Sequence, residues 1–278
     1  MDLSFLSNGV LNAIRDLLTE KIYEIRLREN YKITVNYMGT RRVLSDYICK
    51  KDDIDFIINT VTEKSVYAYN DYIKNGFITT KNGVRIGICG QCVYQGDNII
   101  TIKNISSVNI RIPHLISGCS DGVFSKIIDN NSVYNSLIIA PPFCGKTTIV
   151  KDLAIKLNKS LNKNILIIDE RGEFSVISGE NIDKISFSNK YFAFNYALRS
   201  MSPDIVLTDE LISDSDWRFV GSAISSGIKV IATIHADSIS NLKDKKEFID
   251  GLFCRYFVLR RDSIGIIDKT FDKDMKEI

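Results

Sequence analysis

Along the chain, apolar positions recur first at helical and strand spacing in turn, and later as unbroken runs. Val10, Leu11, Ile14, Leu17 and Leu18 fall at helical spacing and predict a helix over 8–20. Strand-like alternation follows at 22–28 and 31–37. Ile54, Phe56, Ile57, Ile58 and Val61 predict a second helix over 52–63. Short β-like segments return at 76–79, 84–88, 91–94 and 99–102, with Asn82-Gly83 and Gly96-Asp97-Asn98 as hairpin turns. This half reads as a small α+β domain on an antiparallel sheet. Its boundary is expected near Ile112-Pro113 to Gly118, before a helix at about 119–130.

From Ser136 the pattern changes. The runs at 136–139, 164–168, 205–208 and 229–234 are continuous, as in strands buried on both faces of a parallel sheet. Ile149, Val150, Leu153, Ala154 and Leu157 place a helix after the first run. The helix between the last two runs ends at Gly227, a residue suited to a helix C-terminus. The predicted organisation is an N-terminal α+β domain over 1–115 and an α/β domain over 116–278.

Composition narrows the function classes only a little. A chain of 278 residues with 45% hydrophobic content can fill one large or two modest cores. The net charge of +2 is close to balanced and gives no electrostatic argument for nucleic acid, so none is expected as a partner. Met1-Asp2-Leu3-Ser4 opens without a basic region followed by a long apolar one, and no apolar stretch approaches a membrane span. A cytoplasmic protein without a transmembrane segment is expected. Two histidines exclude a His-rich metal site. Of the six cysteines, Cys89 and Cys92 form a lone C-x-x-C in a β-like stretch; free thiols in a reducing cytosol are preferred over a zinc or redox pair.

The chemistry begins at 137–148. Leu137-Ile138-Ile139 is an apolar strand, followed by Ala140, Pro141, Pro142, Phe143, Cys144, Gly145, Lys146, Thr147 and Thr148 and then a helix. Strand, small-residue loop, Gly-Lys-Thr and helix, in that order, make a phosphate-cradling P-loop. Gly145 permits close backbone approach, and the N–H groups at Lys146 and Thr147 with the helix dipole attract phosphate. The Lys146 ammonium suits the β and γ oxygens of a nucleotide such as ATP, and the Thr147 hydroxyl suits Mg²⁺. The first glycine of the usual pattern is replaced by Ala140, which costs little where φ is negative.

Two later strands end in acids, at Asp169-Glu170 and Asp209-Glu210, and the last ends in Thr233-Ile234-His235. In open parallel sheets ligands lie off the carboxyl ends of strands, which places these groups beside the phosphates. Asp209 suits a water of the Mg²⁺ shell and Glu210 suits orientation of the attacking water. His235 either serves the core or contacts the γ-phosphate. Arg26, Arg28, Arg85 and Arg111 serve either as ion-pair partners or as the source of an arginine finger for an adjacent subunit.

Gly145-Lys146-Thr147-Thr148, Ile168-Asp169-Glu170-Arg171-Gly172-Glu173, Leu198 to Asp204 leading into Asp209-Glu210, and Thr233-Ile234-His235-Ala236 together resemble the type II/IV secretion ATPase superfamily. Glu24 to Arg28, Gly87 to Gly90 and Ile105 to Ile112 are similar to its stage III sporulation AA family. The resemblance runs over roughly residues 20 to 265. It implies a RecA-like ATPase using ATP and Mg²⁺, hexameric, cytoplasmic and peripheral at the mother-cell side of the forespore membrane. It implies integral membrane components of a sporulation channel as partners. Lys146 and Thr147 then fall in Walker A, Glu170 in the Asp box, Glu210 in Walker B and His235 in the His box. Ala140 and Phe143 depart from the family's small residues or glycine. Besides a channel-coupled motor, two readings stay open: a nucleotide-binding scaffold with little turnover, and a nucleic-acid motor. A small-molecule kinase is weaker, because no Arg-rich lid-like segment follows.

Overall fold

The computed structural model describes residues 3–17, 22–37, 39–170, 172–186, 190–245, 249, 251–263 and 265–278. The chain divides into two compact units, Met1–His114 and Leu115–Ile278.

The first unit runs α1 (Asn8–Ile14), β1 (Ile22–Arg28), β2 (Lys32–Tyr37), β3 (Thr40–Ile48), α2 (Lys51–Val61), α3 (Asn70–Lys74), β4 (Phe77–Thr79), β5 (Arg85–Gln95) and β6 (Asn98–Arg111). Its antiparallel sheet has the order β3-β2-β1-β6-β5-β4. Alternation puts Ile25, Leu27, Ile33, Val35, Ile86 and Ile110 into one core with Val10, Ile14, Ile54 and Ile57 of the helices. Register on the opposite face sets Glu24, Arg111 and Arg85 in one cross-strand row.

Two expectations for this unit are corrected, and one strand was not foreseen. The first helix stops at Ile14 and continues only as a 3-10 turn, Arg15–Leu17; its predicted end at Leu18 to Glu20 lies outside the described residues. The segments 91–94 and 99–102 are parts of the long strands β5 and β6. Asn104 turns left-handed at φ +48° and the pairing shifts between Cys89 and Gln91, which breaks the period-2 pattern that would have joined them. Edge strand β3 was not foreseen, since its Thr40-Arg41-Arg42-Val43 start is exposed and carries no apolar alternation.

The second unit runs α4 (Asp121–Ile127), β7 (Ile128–Asp129), β8 (Ser132–Val133), β9 (Ser136–Ala140), α5 (Lys146–Ser160), β10 (Ile165–Asp169), β11 (Ile182–Ser186), α6 (Lys190–Tyr196), β12 (Ile205–Glu210), α7 (Asp214–Ser225), β13 (Lys229–His235), β14 (Arg255–Leu259) and β15 (Ile267–Phe271). The sheet order is β11-β10-β12-β13-β9-β14-β15, parallel except for the last pair. Every residue of β9 and β10 is buried, because helices cover both faces. Leu137 and Ile139 join the core beneath α6 and α7, whereas Ile138 and Ala140 join the core beneath α4 and α5. The helix expected over 119–130 is the shorter α4: the chain turns extended at Ile128 and forms the small β7–β8 hairpin. Gly227, at φ +87°, follows the end of α7 in the left-handed conformation that favours glycine there.

Candidate functional site

The inner strand β9, between β13 and β14, delivers the loop. Ala140 is its last residue, fully buried and without a positive φ, so the strand geometry there does not require glycine. Pro141 and Pro142 fix the backbone that follows. Phe143 then turns left-handed at φ +66° and is 94% exposed. Cys144 is buried, and its carbonyl accepts the Gly265 N–H at 2.9 Å, which ties the loop to the β14–β15 connection. Gly145, at φ +89°, caps α5; a Cβ at this backbone would be strained. The first N–H groups of α5 have no partner inside the helix and present the positive end of its dipole to the loop.

Lys146 is only 6% exposed. Its ammonium donates to the carbonyls of Ala140 at 2.6 Å and Pro141 at 2.7 Å, and to His235 Nδ1 at 2.8 Å. An ammonium can only donate, so Nδ1 accepts and the ring proton of a neutral imidazole sits on Nε2. Nε2 faces Glu210 Oε2 at 3.1 Å. Three of the residues singled out from sequence therefore form one chain, Lys146–His235–Glu210, drawn from α5, β13 and β12. Pairing explains how Glu210 gets there. Leu207 pairs with Ile231 but Glu210 pairs with Thr233, so β12 carries an extra residue, and such a bulge re-aims the side chains around it. Asp209, buried in the same bulge, lies next to Glu210. The donor set fits a nucleotide phosphate and its divalent cation: an ammonium, helix-start N–H groups, the Thr147 and Thr148 hydroxyls on the first turn, and two carboxylates.

The acids of β10 divide. Asp169 is fully buried and accepts N–H groups from Glu173 at 2.8 Å and Phe174 at 2.9 Å, closing the turn after the strand. Burial pushes its carboxyl above the ordinary value, against the pull of those two N–H groups. Glu170 is exposed at the strand end, with β12 and β13 between β10 and β9; Arg171 lies outside the described residues. Cys89 and Cys92 are exposed free thiols, and among the described residues no group of three or more His, Cys, Asp or Glu side chains could hold a metal ion.

Two features escaped the sequence reading. A cavity of about 410 Å³ opens beside the chain, lined by Pro141, Glu210, Ile212, His235, Asp237 and Asn241 among others. Asp152 of α5 is buried and holds Gly118 and Ser120. Neither follows a local pattern, because each joins residues more than twenty positions apart.

A mainly parallel sheet with a P-loop on an inner strand, and an Asp-Glu strand end two strands away, defines an α/β RecA-like P-loop ATPase fold, here joined to a smaller α+β unit. Among solved structures the chain is similar to the pilus retraction motor PilT with bound ADP, at 16% identity and a TM-score of 0.67, covering 90% of this chain and 78% of that one. It is also similar to the ATPase DotB of Legionella pneumophila, at 11% identity and a TM-score of 0.64, covering 96% and 81%. The chain belongs to the family "Sporulation stage III, protein AA", which matches residues 8–276. Stage III sporulation protein AA of Bacillus subtilis (strain 168) is 29% identical over 290 residues, covering 97% of this chain and 94% of that protein. Among the described residues no helix is long and apolar enough to cross a membrane.

Proposed function

We propose that this protein is an ATP-hydrolysing motor of the secretion type, assembled as a hexamer on the mother-cell side of the forespore membrane, where it energises a channel of integral membrane proteins. The observation that carries the reading is the Lys146–His235–Glu210 chain at the mouth of the P-loop. Lys146 binds the β and γ oxygens, and Glu210 orients the attacking water and takes its proton. His235, already bonded to both, couples the phosphate side of the site to the carboxylate side. Glu170 is kept as the second carboxylate on its family position. Thr147 and Asp209 would hold Mg²⁺, which when bound supplies charge neutralisation at the phosphates.

An arginine finger fits the first unit. Arg26 is bound to Glu24 at 2.7 Å and Arg85 lies 3.8 Å over the Phe77 ring. Arg111, exposed in the same row, is the arginine this reading assigns to an adjacent subunit's site. The scaffold alternative drew on Ala140, and a strand-geometry Ala140 no longer favours it. Nothing in the near-neutral charge favours a nucleic-acid motor.

The test is the ATPase rate of the purified protein against its concentration, with Glu210→Gln beside it. A superlinear rise is expected from sites completed between subunits. Glu210→Gln should retain nucleotide and lose roughly 10²–10⁴-fold in turnover. Equal turnover by wild type and Glu210→Gln would end this reading.

A further inference from the structure

We infer that Arg261 is a cis-acting sensor of the terminal phosphate, able to exchange its Asp237 partner for the γ-phosphate of a triphosphate. The inference rests on the nucleotide reading above. Strand β14 runs parallel to β9 with Val258 opposite Ile139, so Leu259 is level with Ala140 and Arg261 leaves the sheet beside the P-loop prolines. Two bonds fix that exit. The Arg260 N–H donates to the Ile266 carbonyl at 2.8 Å, and the Gly265 N–H donates to Cys144 of the P-loop at 2.9 Å. The neighbouring Arg260 is engaged elsewhere, its Nε and Nη2 donating to Asp262 at 3.1 and 3.2 Å.

Arg261 Nη2 instead meets Asp237 Oδ1 at 2.8 Å. Asp237 lines the same cavity as Glu210, His235 and Pro141. The guanidinium is therefore held at the rim of the space next to the Lys146–His235–Glu210 chain. Both side chains of the pair are more than half exposed, at 65% and 57%, and ion pairs of that kind hold weakly. A γ-phosphate offers a guanidinium more charge and a two-pronged acceptor, so it outcompetes a single exposed carboxylate. A diphosphate offers no group in that place, and Arg261 returns to Asp237. In this way the β14–β15 connection distinguishes the triphosphate from the diphosphate state within one chain.

The test uses the full-length protein with Mg²⁺ and measures dissociation constants for fluorescent ADP and for a fluorescent, non-hydrolysable ATP analogue. Arg261→Ala should weaken the ATP analogue roughly ten- to a hundredfold and leave ADP within about twofold. Arg261→Lys should recover part of that loss. Asp237→Asn should leave the ATP analogue as tight as in wild type or tighter, because it releases the sensor. Equal losses for both nucleotides in Arg261→Ala, no loss at all, or a matching loss in Asp237→Asn would overturn the assignment, the last by making the ion pair a mere loop tie. A wild-type protein that binds neither nucleotide would refute the nucleotide reading itself, and the sensor with it.

Discussion

Replacing Asp152 by Ala tests how the P-loop helix is anchored. Asp152 is 5% exposed and accepts from the Ser120 N–H at 2.9 Å, the Ser120 hydroxyl at 2.6 Å and the Gly118 N–H at 3.2 Å, and it pairs with Lys156 at 3.0 Å. Without the carboxylate, both Ser120 donors are left buried and unsatisfied, at about 1–3 kcal/mol each. Lys156 keeps Asp121 as a partner, so its loss is smaller. The two donors sum to about 2–6 kcal/mol, which brackets the roughly 3–5 kcal/mol found when one member of a buried pair is removed. Trp217, the chain's single tryptophan, is buried in the same unit, so its fluorescence in a urea titration follows that unit. With a slope of about 2 kcal/mol per molar, the midpoint should fall by roughly 2 M. The pH dependence has a definite sign. Burial would raise the Asp152 carboxyl, but the bonds from Ser120, Lys156 and Gly118 outweigh it and hold it below the ordinary value. Its contribution is therefore full above the unfolded carboxyl value near ~3.9 and is lost as pH falls through the lower folded value. The gap between wild type and variant should narrow in acid. A midpoint shift under about 0.5 M, or a gap that does not narrow at all in acid, would refute the anchoring argument.

Two further outcomes are expected. Phe143→Gly removes a left-handed non-glycine residue worth about 1–2 kcal/mol of strain, offset in part by glycine's extra freedom when unfolded, and it uncovers no core. The Trp217 midpoint should hold or rise slightly, and a clear fall would contradict the strain assignment. Burial, with Asp53 and Glu29 nearby, pushes the Cys49 thiol up to about 12, so almost no thiolate exists at pH 8. Iodoacetamide followed by peptide mapping should find Cys89 and Cys92 alkylated in the native protein and Cys49 only after denaturation; equal native rates would sink the reading of that core.

The central strands were legible because burial on both faces leaves an unmistakable apolar run, as in Ile165 to Ile168. The P-loop was legible because its residues are contiguous. Edge strands were not: β11 is half exposed and reads Ile-Asp-Lys-Ile-Ser, and β15 mixes Asp268 and Lys269 into its run. The pair Asp169-Glu170 shows a different limit. Sequence offers two neighbouring acids of equal chemistry, and only the turn formed by Glu173 and Phe174 separates a buried structural carboxylate from an exposed one. Likewise Asp152, Asp237 and Arg261 act through partners distant in sequence, and no local spacing announces them.

The three protons of Lys146 meet three acceptors already supplied by the protein. On the proposed reading, a phosphate would enter this loop by displacement, and its affinity would be a difference between two complete sets of bonds. The same carbonyls and imidazole would take the ammonium back as a product departs, so release would leave no buried cation bare. A loop made this way would give up tightness of hold and gain ease of exit, which suits the repeated turnover proposed for this site.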